Sequence, residues 1–149
     1  MTTLLLLRHS IPERGGSSPD PGLSAEGLQR AAAVFQNDAF RTVSLVWSSP
    51  SLRALQTAQL LGLPVQQDTR LAERRTGDTT GQDASFWKRQ YEDPDFKNPD
   101  GESFREVSAR MADCIHELLD SLPEGQNALV VSHAAAICSY LQRFCTVEV

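Results

Sequence analysis

Three of the four short apolar runs in this chain lead directly into a segment with helical spacing, and that order restricts the fold more than any other feature. The runs are Leu4 to Leu7, Val43 to Trp47, a weak one near Val65, and Ala128 to Val131. Strand followed at once by helix reads as a βα unit, so the chain is predicted to be an α/β protein with a mainly parallel sheet. At 149 residues, with no repeat and no linker-like stretch, residues 1–149 read as one domain.

The helices announce their ends. Ser24 can cap a helix carrying Leu28, Ala31, Ala32 and Phe35, with Leu23 placed to staple onto Leu28, and this helix ends near Asn37. Ser49 and Pro50 suit the cap and first turn of a second helix, which bears Leu52, Leu55, Ala58 and Leu61 and can stop at Gly62. The strongest pattern runs from about Glu102 to Leu122, where Phe104, Val107, Met111, Ile115, Leu118 and Leu122 recur at three- and four-residue steps. A last helix spans Ala135 to about Phe144, and the sequence stops at Val149, leaving little for another strand. Residues 76–100 have no clean period and hold Phe86, Trp87, Tyr91 and Phe96 among polar residues, as a partly helical, lid-like insertion over a pocket would.

Charge and cysteines exclude several functions. With 14 Lys and Arg against 19 Asp and Glu, the net charge of −5 offers no positive field to hold a nucleic acid. Three cysteines without C-x-x-C spacing indicate neither a disulfide framework nor a zinc knuckle, and a reducing cytoplasmic setting is expected. None begins a C-x5-R, which removes thiolate phosphatase chemistry. The start lacks a secretory signal, and nothing approaches the roughly 20 apolar residues of a membrane span. No long exposed apolar stripe is evident, so a monomer or weak dimer is expected.

In open parallel sheets, ligands bind beyond the carboxyl ends of the strands. Arg8 and His9 follow the first run; Ser48, Ser49 and then Arg53 the second; Glu73 the third; Ser132 and His133 the fourth. Two guanidiniums with permanently charged forks match phosphate oxygens, so phosphoryl transfer is the chemistry these groups best serve. A neutral imidazole is a competent nucleophile at physiological pH, and His9 is placed for that role. Arg8, Arg53 and His133 would balance the charge on the transferred group, and Glu73 is the carboxylate available to protonate a departing alcohol. Neither a metal nor another cofactor is required. His116, at the edge of the polar face of the long helix, reads as structural.

Leu7-Arg8-His9-Ser10, the segment from Ser48 to Ala58 (SSPSLRALQTA) and Val131-Ser132-His133-Ala134 resemble, in order, three signatures of the histidine phosphatase superfamily, the phosphoglycerate mutase-like proteins. Leu71 to Gly77 looks like that family's general-acid segment, and Gly101-Glu102-Ser103 like a motif opening a long helix. The likeness spans almost the whole chain. It implies a three-layer α/β/α sandwich of the phosphoglycerate mutase-like kind, with His9 as nucleophile, His133 and Glu73 catalytic, and Arg8 and Arg53 binding substrate. Ser10, where the family usually has glycine or alanine, is taken as a substrate-binding position. Ile11-Pro12-Glu13-Arg14 lacks the Thr and Asn that mutases use, Thr79-Thr80-Gly81 replaces the usual lid segment, and the early end implies a minimal or shortened member. The expected activity is metal-independent hydrolysis of small phosphorylated metabolites. The alternatives are a mutase, a protein phosphohistidine phosphatase, or a phosphate-binding regulatory module without turnover.

Overall fold

The apolar runs form the strands of one four-stranded sheet in the computed structural model, which describes residues 1–148; Val149, where the sequence closes, lies outside them. The strands are β1 (Leu4–Arg8), β2 (Val43–Ser48), β3 (Val65–Gln67) and β4 (Asn127–Ser132). All pairings are parallel, in the order β1-β4-β2-β3, so the last strand in sequence lies between the first two. The helices are α1 (Ala25–Val34), α2 (Leu52–Gln59), α3 (Ser85–Glu92), α4 (Phe104–Ser121) and α5 (Ala134–Phe144). Among the described residues none is long and apolar enough to cross a membrane.

Alternation along the strands divides the core in two. Leu4, Leu6, Leu45, Trp47, Ala128 and Val130 pack with α4 and α5. Leu5, Leu7, Val43, Val46, Leu129 and Val131 pack with α2 and with Phe35 at the end of α1. Val43 and Val46 share a face because the pairing of β2 with β4 shifts register between Val43 and Leu45. Helices on both faces of a parallel sheet make the expected three layers.

The α1 stripe differs from its expected position. Gly27 and Ala31 are buried, whereas Leu28 is 41% exposed and faces away from the sheet. A Cβ on Gly27 would stand 2.2 Å from the Ile11 carbonyl, so the helix approaches the first loop backbone to backbone and turns Leu28 outward. Helix α2 likewise buries the small residues Ala54, Thr57 and Ala58 and leaves Leu52 exposed. Its cap is Ser51 rather than Ser49, and the Ser51 side chain makes no capping bond. The Asp20 carboxylate supplies it from 32 residues away, accepting the Leu52 N–H at 3.0 and 3.1 Å. Past the end of α2, Gly62 takes φ +87° and donates its N–H to the Gln59 carbonyl. The long helix begins as read, with Ser103 Oγ accepting the Glu106 N–H at 3.1 Å.

Candidate active site

The sheet order brings three strand ends together. Arg8 pairs with Ser132 and Ser48 with Val131; just beyond, His9 N–H donates to the Ser132 carbonyl and Ser49 N–H to the Val131 carbonyl, both at 3.0 Å. His9, Ser49 and His133 therefore leave the same rim. The imidazoles of His9 and His133 lie with centroids 5.0 Å apart at 62°. One guanidinium spans them: Arg53 Nε donates to His9 Nε2 at 3.3 Å, and its Nη2 lies 3.3 Å from His133 Nδ1.

Arginine has only donors, so these contacts assign both tautomers. His9 accepts on Nε2 and donates from Nδ1 to the Ser10 carbonyl at 2.7 Å, which leaves the Nε2 lone pair on the side of the guanidinium. His133 accepts on Nδ1, and its Nε2–H donates to Ser49 Oγ at 2.9 Å, with Ser51 Oγ at 3.3 Å. Burial lowers the His9 pKa; the Ser10 bond opposes this, while the charges of Arg53 and Arg8 lower it further. His133, 1% exposed, is pushed down to about 3, first by burial and then by Arg53, His9, Arg110 and Arg8. Both rings are neutral near pH 7, and a lone pair on a neutral ring is what nucleophilic attack requires.

Arg8 ends β1 and lines an open cleft with His9, Ser10, Pro12 and Arg14. Ser10 lines it too, but its hydroxyl donates to the Gly27 carbonyl at 2.7 Å and its N–H to Thr57 Oγ1 at 3.0 Å. Its side chain thus fastens the loop to α1, and its carbonyl orients His9. Glu73 stands at the start of α5, where its carboxylate accepts the N–H groups of Arg74 (2.8 Å), Ala136 (2.9 Å) and Ala135 (3.2 Å). His133 caps that helix without a side-chain bond, so the Glu73 carboxyl group takes the place of its cap. The segment bearing Glu73 is clamped from behind. Arg110 donates to the carbonyls of Arg70, Ala72 and Glu73, and Glu102 receives Arg110 at 2.8 and 3.0 Å and the Arg75 N–H at 2.8 Å. Burial works to raise the Glu102 pKa, and the bonds from Arg110 and Arg75 outweigh it.

Sequence reasoning missed Asp20, Arg14, Ser51, Thr57 and the Glu102–Arg110 pair as parts of this neighbourhood. Asp20 lies 3.7 Å from Arg53 Nη1, on the third arm of the same guanidinium. No local pattern marks it, because its partners are more than 30 residues away. Among the described residues no group of three His, Cys, Asp or Glu side chains is arranged to hold a metal ion.

Residues 4–149 match the profile of the histidine phosphatase superfamily (branch 1). The chain belongs to that superfamily. The protein named probable phosphoglycerate mutase GpmB of Cronobacter sakazakii is 32% identical over 92% of this chain and 72% of its own length. Among solved structures, a mycobacterial glucosyl-3-phosphoglycerate phosphatase superposes with TM-score 0.77 at 29% identity, over 92% of this chain and 76% of that one. A mutant phosphoserine phosphatase of Entamoeba histolytica in complex with phosphoserine superposes with TM-score 0.78 at 26% identity, over 95% and 78%. Superfamily and neighbours support an enzyme of phosphoryl transfer, with phosphatases and a mutase among its relatives.

Proposed function

We propose that this protein is a metal-independent phosphomonoester hydrolase that works through a phosphohistidine at His9. The observation that carries the reading is the single guanidinium of Arg53 held between two neutral imidazoles. With Arg8 beside it, such a cluster has two guanidiniums for the phosphoryl oxygens and, on His9 Nε2, a lone pair for phosphorus. An arriving phosphate takes the N–H groups of Arg53 and Arg8, which releases the bond that Arg53 Nε holds on His9 Nε2. Nε2 then attacks phosphorus, the ester P–O bond breaks, and the Glu73 carboxyl group passes a proton to the departing oxygen. In the second half, water attacks phosphorus, the N–P bond breaks, and the Glu73 carboxylate takes the proton from water. Arg8 and Arg53 hold the charge that spreads over the oxygens in a loose transition state, and His133 keeps Arg53 in place through its Nδ1. Small phosphorylated metabolites are the substrate class, with water as the acceptor of the second half.

The test is hydrolysis of 4-nitrophenyl phosphate in EDTA by the wild-type chain and by His9→Ala, with acid-labile phosphoenzyme trapped by rapid quench. Turnover that survives EDTA and falls by roughly 10³-fold or more without His9 is expected. Turnover undiminished in His9→Ala overturns the assignment, and phosphate binding without any phosphoenzyme means a module that only binds.

A further inference from the structure

A second cavity shares no lining residue with the cleft that holds His9 and Arg8. Its volume is about 340 Å³, and Glu73 forms part of its wall. The rest of the lining comes from Tyr91 of the 76–100 insertion, Phe104 at the start of α4, and Ala134, Ala135 and Cys138 on the first turns of α5, with Gln142 and Ser139 farther along. We propose that this cavity receives the leaving group, and that the substrates it selects are phosphate esters of flat, apolar, uncharged alcohols, aryl esters above all. The inference rests on Glu73 as proton donor, because a donor must stand beside the oxygen that departs.

The lining decides the chemistry. Glu73 brings its one carboxyl group, and neither Lys nor Arg contributes to the wall. A leaving group bearing a carboxylate or a second phosphate would be stripped of water against this lining with no cation in the wall to compensate, an arrangement that costs its desolvation. Arg74, the nearest cation in sequence, is buried with two of its three nitrogens engaged: Nε donates to the Glu102 carbonyl at 2.9 Å and Nη1 to Gln90, Nη2 is buried without a partner, and the guanidinium lies 4.3 Å from the centre of the Phe104 ring.

The aromatic wall is preformed. Tyr91 stacks on Phe104 with centroids 5.3 Å apart and planes at 26°, so a planar guest meets a planar surface. Tyr91 is 70% exposed. An exposed ring held in a stack at a cavity mouth has area left to offer a ligand. A three-carbon alcohol would leave most of the cavity unfilled, whereas a ring system fills it and removes the aromatic faces from water.

The experiment compares kcat/KM of the full chain for 1-naphthyl phosphate, phosphoserine and 3-phosphoglycerate. A preference of at least tenfold for the naphthyl ester is expected. Tyr91→Ala should raise its KM about tenfold while kcat falls less than threefold, since the variant removes a surface that binds the leaving group and touches no reacting atom. Trp87→Ala, on the same helix but outside the cavity, should leave both constants within twofold. Cys138→Arg, which adds a cation to the wall, should narrow the preference by raising kcat/KM for phosphoserine. Equal or better turnover of phosphoserine or 3-phosphoglycerate by the wild type overturns the inference and leaves the hydrolase reading standing, as does a Tyr91→Ala loss confined to kcat. No turnover of any of the three esters overturns the hydrolase reading and this inference with it.

Discussion

Replacing His133 by asparagine should flatten the acid side of the protein's stability curve. The imidazole is 1% exposed and is pushed from an ordinary 6.5 down to about 3 by burial and by Arg53, His9, Arg110 and Arg8. As pH falls, the unfolded chain binds a proton at this residue well before the folded chain does. The folded-state value is the lower one, so the stability contribution is intact above pH 6.5 and is lost as pH falls toward 3. The loss runs at about 1.4 kcal/mol per pH unit in the middle of that window, or about 2 kcal/mol between pH 7 and pH 5. Urea unfolding of wild type and His133→Asn at those two pH values isolates the contribution, because the carboxylates and His9 titrate in both chains. The pH-linked loss should be about 2 kcal/mol smaller in the variant. An equal loss in both would mean that His133 takes up a proton in the folded chain near its usual pH, and the neutral pair of imidazoles on which the reading depends would be wrong.

Asp20→Ala removes the carboxylate that caps α2 and touches the third arm of Arg53. A stability loss of about 1 kcal/mol in urea unfolding and a several-fold lower kcat/KM on an aryl phosphate are expected. Gly27→Ala should lower the midpoint of thermal unfolding sharply, because its Cβ would stand 2.2 Å from the Ile11 carbonyl and push α1 off the loop that holds His9. Glu102→Gln leaves the half-buried Arg110 without its counter-charge and should cost about 2 kcal/mol in urea unfolding. Turnover of an aryl phosphate should fall with it, since the same pair braces the segment that carries Glu73. Titration with a disulfide reagent near pH 8 should modify Cys138 and Cys145 in the folded chain and spare Cys114, which is buried with its thiol pushed up to about 12.

The layers of the fold were readable because strand and helix signals are local. Four apolar runs became four strands, and the Ser103 cap and the stripe from Val107 to Leu122 gave α4. Leu28 was misplaced because hydrophobic spacing registers side chains, whereas α1 docks through the missing side chain of Gly27. The serines before α2 were misassigned for a related reason. Ser49 looks like a cap from its neighbours, yet its hydroxyl serves His133, and the cap arrives from Asp20. Arg8, His9, Arg53, Glu73 and His133 could be named because each follows a strand end. The structure gathers Arg53 and both histidines into direct contact and places Arg8 and Glu73 at the edges of that cluster. What holds those groups in place was invisible, because Arg110 acts across about 40 residues and Asp20 across about 30.

The placement of β4 between β1 and β2 also governs when the protein can begin to exist as a folded object. Leu4 finds its partner in Ala128, 124 residues later, and among the described residues β1 has no other neighbour in the sheet. A ribosome making this chain must therefore hold an unpaired strand of four consecutive leucines until most of the sequence has been translated. Contacts of such long sequence separation slow folding, and an unpaired apolar strand invites association with other chains while it waits. The order of synthesis thus makes the first strand the last to be satisfied, and the amino-terminal segment of the nascent chain is where a chaperone would have most to protect.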